Sequence, residues 1–504
     1  MNHSRSTDRG LRANALSTFD TTVMAVAGSA PAYSLAATTA VLVGAVGLAG
    51  PAALLYCAIP MLGIVLAFGR LGRLDVHAGA AYSWVARTLH PFLGFLSGWA
   101  LVVAATLFMV AGSLPAGQMT LALFDPGLAH HTALATATGA FWFLLMLLVV
   151  LGGARLSARA QVIVSGVELT ILVVFAVGAV LHHGGAAPFD WSWLGFGHFD
   201  GVHGFASGTL VAAFYYWGWD VTSNLSEETR DSRRAAGVAA LAGLAVVFLL
   251  FVGFTVAVNM TLTSDQIEQH QTNVLAVLGE TIWPGVGGKL MVLAVVLSTI
   301  ATLETTLLQV TRSLFAMGRD RTMPAALGTV HRRWNTPWVA VVVVGAVALA
   351  LFVASNALGS VEEIMTDALA AIGLQTTFYY GLAGLAAVVA YRGTLTRSVG
   401  AFVFGGVWPL LGSAYMLCVF ALSLTELSGA AIAIGVGGLA AGLGPMLWYW
   451  RRGSGYYRPA ALDAGRAIAV DAGHGRDHGY GYGYADSGAA RHPAGHAGAL
   501  PTDF

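Results

Sequence analysis

Long apolar runs, separated by short polar, glycine or proline segments, dominate the chain. A helix that crosses a hydrocarbon core of ~30 Å needs about 20 apolar residues, and twelve runs of that kind can be delimited. They cover residues 18–45, 51–69, 92–117, 135–154, 160–181, 205–226, 235–259, 287–312, 336–355, 363–391, 399–424 and 429–450. The runs lack the alternation of apolar and polar positions that a membrane-spanning β-strand shows. The pattern therefore predicts an all-α polytopic membrane protein with twelve transmembrane helices.

The composition agrees with a membrane location. Of the 504 residues, 57% are hydrophobic and only 10% are charged, with 25 basic and 25 acidic side chains. Soluble globular proteins carry about 25% charged residues, so a soluble protein of several domains is excluded. The balanced charge also argues against a nucleic-acid partner, because phosphate binding needs a basic surface. Only Cys57 and Cys418 occur, both in apolar runs, so neither a disulfide framework nor a cysteine metal motif is predicted.

The basic residues sort to one side of the predicted spans. If the N-terminus is cytoplasmic, every Lys and Arg except Lys289 falls in a cytoplasmic loop or terminus. Cytoplasmic loops carry the Lys and Arg excess of membrane proteins, so both termini are predicted to be cytoplasmic, with the protein in the plasma membrane. The chain then divides into an N-terminal segment 1–17, a helical domain 18–450 and a tail 451–504 that is rich in Gly, His and Tyr and predicted to be disordered.

Two spans contain residues that interrupt a helix. The first span holds Gly28-Ser29-Ala30-Pro31, and the sixth holds an aromatic cluster around Gly218 that is followed by Asp220. Proline removes a backbone donor and disfavours helix in the residue before it, and either break alone is compatible with a packing kink. Spans 1 and 6 are equivalent if residues 18–181 and 205–391 form two five-helix repeats, with helices 11 and 12 (399–450) appended. Breaks in equivalent helices indicate a transporter site at the membrane midplane.

The chemistry of such breaks suits a zwitterion. The N-terminus of a half-helix offers unpaired N–H groups and a positive dipole end to a carboxylate, whereas the carbonyl groups freed in the sixth span suit an ammonium group. A site with both poles is predicted to bind an amino acid.

Several motifs are similar to those of the amino acid–polyamine–organocation permeases. The most specific segment runs from Arg312 to Pro337 and contains Ala316-Met317-Gly318-Arg319-Asp320, Met323-Pro324, His331 and Thr336-Pro337. Gly50-Pro51, Gly79-Ala80-Ala81-Tyr82, the segment 94–99 and Glu227-Glu228-Thr229 also match. The resemblance covers about residues 15–450. It implies the leucine-transporter fold, a five-plus-five inverted repeat plus two extra helices, with substrate held by the unwound parts of helices 1 and 6.

The resemblance also implies roles for individual residues. Gly28, Ser29 and Ala30 match the helix-1 break that holds the substrate carboxylate. The helix-6 segment that holds the amine and closes over the side chain is matched by Phe214, Tyr215, Tyr216, Trp217 and Gly218. The chain departs from the common Gly-Ser-Gly because Ala30 and Pro31 remove one glycine and one backbone donor.

Four acidic residues, Glu168, Asp220, Glu304 and Asp367, lie within predicted spans, the last of them near an outer end. Charged groups inside a bilayer are costly and face a cavity or a partner. Counted from the predicted span ends, the first three share one layer below the substrate site, and a carboxyl there that takes up a proton is a coupling candidate. Glu168 falls where many relatives carry a buried lysine. A proton carrier, a cation ligand together with Thr305 or Thr306, and a structural hydrogen bond are its three possible roles.

The sequence thus predicts a secondary active transporter that imports an amino acid by proton symport and alternating access. Alternatives are a transporter or exchanger of polyamines or cationic amino acids, or sodium-coupled uptake. No protease, hydrolase or nucleotide-binding motif is present, so no enzyme activity, catalytic residue, cofactor or metal site is expected. The expected partners are a small-molecule amino acid or amine and membrane lipid.

Overall fold

The computed structural model describes residues 10–182, 186–270, 273–358 and 361–465. Regular structure in these ranges is helical, and the one isolated bridge of extended backbone joins Leu16 to Thr229. The prediction of an all-α polytopic membrane protein is confirmed.

The helices follow one another with few long connections. The first ten are α1 (Thr18–Gly28), α2 (Pro31–Val46), α3 (Gly50–Leu74), α4 (Ala81–Thr88), α5 (Pro91–Ala122), α6 (Pro126–Ala129), α7 (Thr132–Leu151), α8 (Ala154–Leu181), α9 (Gly201–Tyr215) and α10 (Val221–Asn224). The other ten are α11 (Ser232–Thr261), α12 (Ser264–Gln269), α13 (Val274–Ile282), α14 (Gly287–Arg319), α15 (Trp338–Leu358), α16 (Val361–Tyr391), α17 (Val399–Phe402), α18 (Trp408–Glu426), α19 (Gly429–Ala441) and α20 (Leu443–Arg451).

Ten helical segments of the described chain are long and apolar enough to cross a membrane. The first of them, Thr18–Leu74, has 57 residues and contains two of the predicted spans. The sixth predicted span does not reach the required length, because α9 ends at Tyr215 and α10 has only 4 residues. The count of twelve spans and the five-plus-five repeat therefore stay predictions.

Helix α14 lies at the centre of the molecule. Every residue from Ser298 to Gly318 is buried, and α14 contacts α1, α2, α5 and α8. By contrast, α8 exposes large apolar side chains such as Ile163 and Val173. A helix that is buried on all sides belongs to the interior, and exposed apolar side chains on a membrane helix face lipid. The central position of α14 brings it against both halves of the first interrupted helix.

Two ion pairs fix the C-terminal end of α14. Arg312 donates to both carboxylate oxygens of Glu228, at 2.8 and 3.2 Å, with both side chains buried. Arg319 donates to both oxygens of Glu227, at 3.0 and 2.9 Å. Burial opposes ionisation of Glu227, but Arg319 outweighs it and holds the pKa of this carboxyl below its usual value. We call this end of the molecule the Arg-rich face; the charge distribution predicts that it is cytoplasmic.

The same pairs explain why α14 is longer than predicted. The predicted span ends at residue 312, because an arginine usually marks a loop, yet the helix continues to Arg319. The Glu228 carboxylate neutralises Arg312, so a buried arginine is tolerated inside the helix. Glu228 itself is held by the N-terminal segment, because the N–H of Leu16 donates to the Glu228 carbonyl at 3.0 Å.

Residues 452–465 also pack on the Arg-rich face. The Tyr456 ring stacks on Tyr82, with centroids 4.4 Å apart, and its hydroxyl donates to the Tyr82 carbonyl at 2.9 Å. The N–H of Leu462 donates to the carbonyl of Arg87 in α4 at 2.9 Å. Disorder beginning at residue 451 is therefore wrong for this part of the tail, because tyrosine and backbone groups find partners on α4. Residues 466–504 lie outside the described ranges.

Candidate functional site

The first helix is interrupted where the sequence predicts. Helix α1 ends at Gly28 and α2 begins at Pro31. Between them Ala30 has a left-handed backbone, with φ 49° and ψ 59°. Proline disfavours the right-handed helical conformation in the residue before it, and the left-handed conformation costs a residue with a Cβ about 1–2 kcal/mol. The break is thus a strained feature that the surrounding structure maintains.

The backbone of the second break contacts the backbone of the first. Helix α9 ends at Tyr215, Gly218 has φ 98°, and α10 begins at Val221. A Cβ atom on Gly28 would collide with the Gly218 carbonyl oxygen, and one on Gly218 would collide with the Gly28 carbonyl oxygen. The two predicted breaks therefore meet, and both glycines are required for this contact.

Aromatic side chains surround the meeting point. Trp217 packs edge to face with Phe108, with centroids 5.9 Å apart, and Phe108 packs the same way with Tyr33 at 6.1 Å. The Trp217 indole N–H donates to the Tyr379 hydroxyl at 2.9 Å. Trp217 thus faces α5 and α16 from the second break.

The two tyrosines before Trp217 are oriented differently. The Tyr216 hydroxyl donates to the Leu54 carbonyl in α3 at 3.0 Å, and the Tyr215 hydroxyl lies 3.5 Å from the Thr39 hydroxyl in α2. Both side chains are fully buried in these contacts, and Phe214 is partly buried. The hydroxyl groups of Tyr215 and Tyr216 are therefore directed to α2 and α3.

Glu168 lies at the first break itself. Its Oε1 accepts a hydrogen bond from the N–H of Ala32 at 3.0 Å, and the next N–H, of Tyr33, donates to the Ser298 hydroxyl at 3.2 Å. Glu168 is fully buried, and its Oε2 has no hydrogen-bond partner among the described residues. A carboxyl group of the protein thus occupies the N-terminus of α2, where anions bind.

The other donors of this break also have acceptors. Pro31 has no N–H, and the remaining N–H groups donate within the chain: Ser29 to Val26 at 3.1 Å, Ala30 to Ala27 at 3.1 Å, and Ser34 to Ala30 at 2.7 Å. Every backbone N–H from residue 29 to residue 34 is therefore hydrogen-bonded to the protein. The roles expected for Gly28, Ser29 and Ala30 toward a carboxylate stay predictions.

The carbonyl groups of the second break have the opposite property. Within the described part of the chain, no donor hydrogen-bonds to the carbonyl oxygens of Phe214, Tyr215, Tyr216 and Trp217. These carbonyls belong to the last turn of α9 and to the two residues after it, where the helix supplies no further N–H groups. The second break thus has carbonyl oxygens without a donor, whereas every N–H group of the first break has an acceptor.

Asp220 lies below the second break in a shell of neutral donors. Its Oδ1 accepts from the Tyr380 hydroxyl at 2.9 Å, and its Oδ2 accepts from the Tyr379 hydroxyl at 2.9 Å and the Gln309 amide at 2.8 Å. Since the Tyr379 hydroxyl also accepts from the Trp217 indole, a chain of hydrogen bonds joins Trp217 to the Asp220 carboxyl group. A small cavity borders Asp220 on the side of the Arg-rich face.

Glu304 lies between α14 and α8. Its Oε2 accepts from the Gln161 amide at 2.7 Å, and the same amide donates to the Ala301 carbonyl at 2.8 Å. The Ser157 hydroxyl approaches the carboxyl, yet Oε1 has no hydrogen-bond partner among the described residues. Glu304, like Glu168, is a buried acid with one unused oxygen.

The three acids do not share one layer. Glu168 lies beside Ser298, whereas Asp220 is bonded to Gln309. Along α14, at 1.5 Å per residue, Glu304 lies about 9 Å and Gln309 about 16 Å beyond Ser298. The expectation of a common layer is wrong, because Glu304 bonds to Gln161, which lies 7 residues, or about 10 Å, before Glu168 along α8.

Four polar residues of the site were missed by the sequence analysis: Gln161, Gln309, Tyr379 and Tyr380. Each is a hydrogen-bonding side chain inside an apolar run, where water cannot serve as the partner. The adjacent tyrosines within the tenth predicted span were the clearest available signal. Among the described residues no group of three or more His, Cys, Asp and Glu could hold a metal ion.

Comparison with known proteins identifies the family. The profile of the amino acid permease family matches residues 16–425. The chain belongs to this family. It is a permease of the amino acid–polyamine–organocation superfamily and a multi-pass membrane transporter, and it is not an enzyme.

Three similar transporters have different solutes in their names. The permease is 25% identical over 319 residues to the low-affinity putrescine importer PlaP of Escherichia coli, an alignment that covers 59% of this chain and 66% of that protein. It is 23% identical over 390 residues to the serine/threonine exchanger SteT of Bacillus subtilis, covering 74% and 83%. The human b(0,+)-type amino acid transporter 1 is 24% identical over 310 residues, covering 59% and 62%.

Proposed function

We propose that this permease is a secondary active transporter that imports a small solute with an ammonium group, an amino acid or an amine, by proton symport. It acts in the plasma membrane, with both termini in the cytoplasm, and alternates between outward-open and inward-open states around the two breaks. Twelve spans in a five-plus-five inverted repeat, with two added helices, complete this proposal. The similar transporters carry amino acids or putrescine according to their names, and an ammonium group is common to these solutes.

One observation carries the proposal: the two interrupted helices meet, and buried carboxyl groups surround their meeting point. Glu168 bonds to the start of α2, and Asp220 follows the second break directly. No ion pair within the described residues includes Glu168, Asp220 or Glu304. An uncompensated charge is costly inside a membrane, so each of these acids is a candidate to bind a proton during transport.

Glu168 is the coupling residue that the geometry supports best. Its hydrogen bond to Ala32 ties its protonation state to the position of α2, because a protonated carboxyl is a weaker acceptor than a carboxylate. Its unused Oε2 gives the proton a place. A sodium ion held by Glu168 together with Thr305 or Thr306 is the second candidate for coupling.

Uptake into proteoliposomes tests this function. Vesicles that contain the purified permease are loaded at pH 8 and diluted to pH 6, with and without sodium, and labelled amino acids and amines are offered. We expect accumulation that depends on the pH gradient and not on sodium. Glu168→Gln should lose gradient-driven accumulation, whereas Glu426→Gln, which changes an exposed acid at the end of α18, should not. No uptake of any solute, or coupling unchanged in Glu168→Gln, would contradict the proposal.

A further inference from the structure

The two breaks of the site differ in what they can still bind. At the first break each N–H from residue 29 to residue 34 already has an acceptor in the protein. At the second, the carbonyl oxygens of residues 214–217 have no donor among the described residues. From this asymmetry we infer that the solute is a primary amine, a monoamine or a diamine, that carries no carboxylate group. This inference rests on the proposed function and names its substrate class.

A substrate carboxylate would have to compete with Glu168. The N-terminus of α2 binds one anion well, and Glu168 Oε1 already lies there, 3.0 Å from the Ala32 nitrogen. Pro31 removes the donor that would come first in this half-helix. A second carboxylate at the same place would find the Ala32 N–H already used by Glu168, and it would also meet a like charge whenever Glu168 is ionised. The permease thus supplies the carboxylate that an amino acid would bring.

An ammonium group fits what remains unused. Buried backbone carbonyls are nearly always hydrogen-bonded in folded proteins, and Tyr215 and Tyr216 are fully buried. A primary ammonium offers three N–H donors, which is what a group of free carbonyls needs. The carbonyl oxygens of the second break can therefore accept hydrogen bonds from an ammonium group, whereas a carboxylate has no N–H or O–H to donate to them.

The charges and rings around the breaks also favour a cation. Glu168 lies on one side of the meeting point and Asp220 on the other, and neither has an ion-pair partner among the described residues. Trp217 and Phe108 present aromatic surface between them, and the faces of such rings attract ammonium groups. A diamine that binds the carbonyl groups of residues 214–217 with one ammonium would direct its second ammonium toward one of these two acids.

Matched pairs of solutes test the inference on the wild-type permease. Putrescine differs from ornithine, and cadaverine from lysine, only by the absence of the carboxylate. Each is tested as a competitor of labelled putrescine uptake and, separately, as a ligand that raises the unfolding temperature of the detergent-solubilised protein. We expect each diamine to act at a concentration at least tenfold lower than its amino acid. Equal or better action of ornithine and lysine, or uptake of neutral amino acids without uptake of diamines, would overturn the inference and leave the proposed function intact. If no solute of either kind binds or is transported, the proposed function fails as well.

A variant tests the role of Glu168 in this selectivity. Glu168→Gln keeps an oxygen for the Ala32 N–H and removes the negative charge, so the preference for putrescine over ornithine should fall at least tenfold. Binding is read from the ligand-induced rise in unfolding temperature, which does not require coupled transport. Glu426→Gln is the matched control and should keep the wild-type ratio. An unchanged ratio in Glu168→Gln would show that this residue does not exclude the carboxylate and would overturn the inference.

Discussion

The buried pair between Arg312 and Glu228 should be a major source of stability at the Arg-rich face. Arg312 is fully buried within α14, and Glu228 precedes α11, so the pair joins segments 84 residues apart. We consider the substitution Glu228→Gln, which keeps the size of the side chain and removes its charge. The arginine then stays buried with no carboxylate to compensate it.

The burial of the pair determines how much stability Glu228→Gln should lose. Removing one partner of a buried ion pair costs about 3–5 kcal/mol, because the other charge is left uncompensated. The pair between Arg319 and Glu227 provides a matched control on the same helix. Its side chains are 29% and 11% exposed, against 0% and 1% for Arg312 and Glu228. Water partly screens this less buried pair, so Glu227→Gln should cost less than Glu228→Gln, on the order of 1 kcal/mol.

The assay is reversible unfolding of the purified protein in mixed micelles, with the free energy of unfolding extrapolated to zero denaturant. A third variant, Arg312→Met with Glu228→Leu, removes both charges and fills the space with apolar atoms. It should recover at least half of the loss, since apolar replacement of a buried pair is often neutral. The reasoning is refuted if Glu228→Gln costs no more than Glu227→Gln, or if the double variant is less stable than Glu228→Gln.

Three further predictions concern other parts of the molecule. Gly28→Ala should abolish uptake, because its Cβ collides with the facing break, whereas Gly44→Ala, which meets no atom within 4 Å, should transport normally in the same vesicle assay. Tyr456→Phe should cost about 1 kcal/mol for the lost hydrogen bond and Tyr456→Ala about 3 kcal/mol, with faster proteolysis of residues 452–465 in the alanine variant only. The lowered pKa of Glu227 means that its pair with Arg319 stabilises the fold above the usual carboxyl value of 4.5 and loses this contribution as the pH falls through the lowered pKa. The difference in unfolding temperature between wild type and Glu227→Gln should therefore be constant from pH 7 to pH 5 and decrease as the pH falls further below 4.5.

The positions of the two breaks could be predicted because each depends on residues that are adjacent in the sequence. Pro31 constrains Ala30, and Gly218 is flanked by bulky aromatic residues that a regular helix packs poorly. The contact between Gly28 and Gly218 follows from no local signal, since it depends on the relative position of helices 190 residues apart. The local sequence thus predicts where a helix ends, whereas the residues that contact this end depend on the packing of the helices.

The hydrogen-bond partners of the site could not be predicted for the same reason. Glu168 was recognised as a buried acid, but its bond to Ala32 requires the register between α8 and α2. Its level relative to Glu304 requires the register between α8 and α14, which the bond from Gln161 to Glu304 shows and no local signal predicts. The acceptors of the Ala32 and Tyr33 N–H groups could not be predicted either, because they come from α8 and α14.

The length of α14 has a mechanical consequence. Its 33 residues extend about 50 Å, well beyond a hydrocarbon core of ~30 Å. Arg319 lies 15 residues, or about 22 Å, from the level of Glu304, so a tilt of about 10° around that level moves the arginine by about 4 Å. Hydrogen bonds of 2.9 and 3.0 Å to Glu227 do not survive such a displacement. A tilt of α14 at the substrate site therefore requires either that the hydrogen bonds between Arg319 and Glu227 break or that the segment with Glu227 moves together with α14.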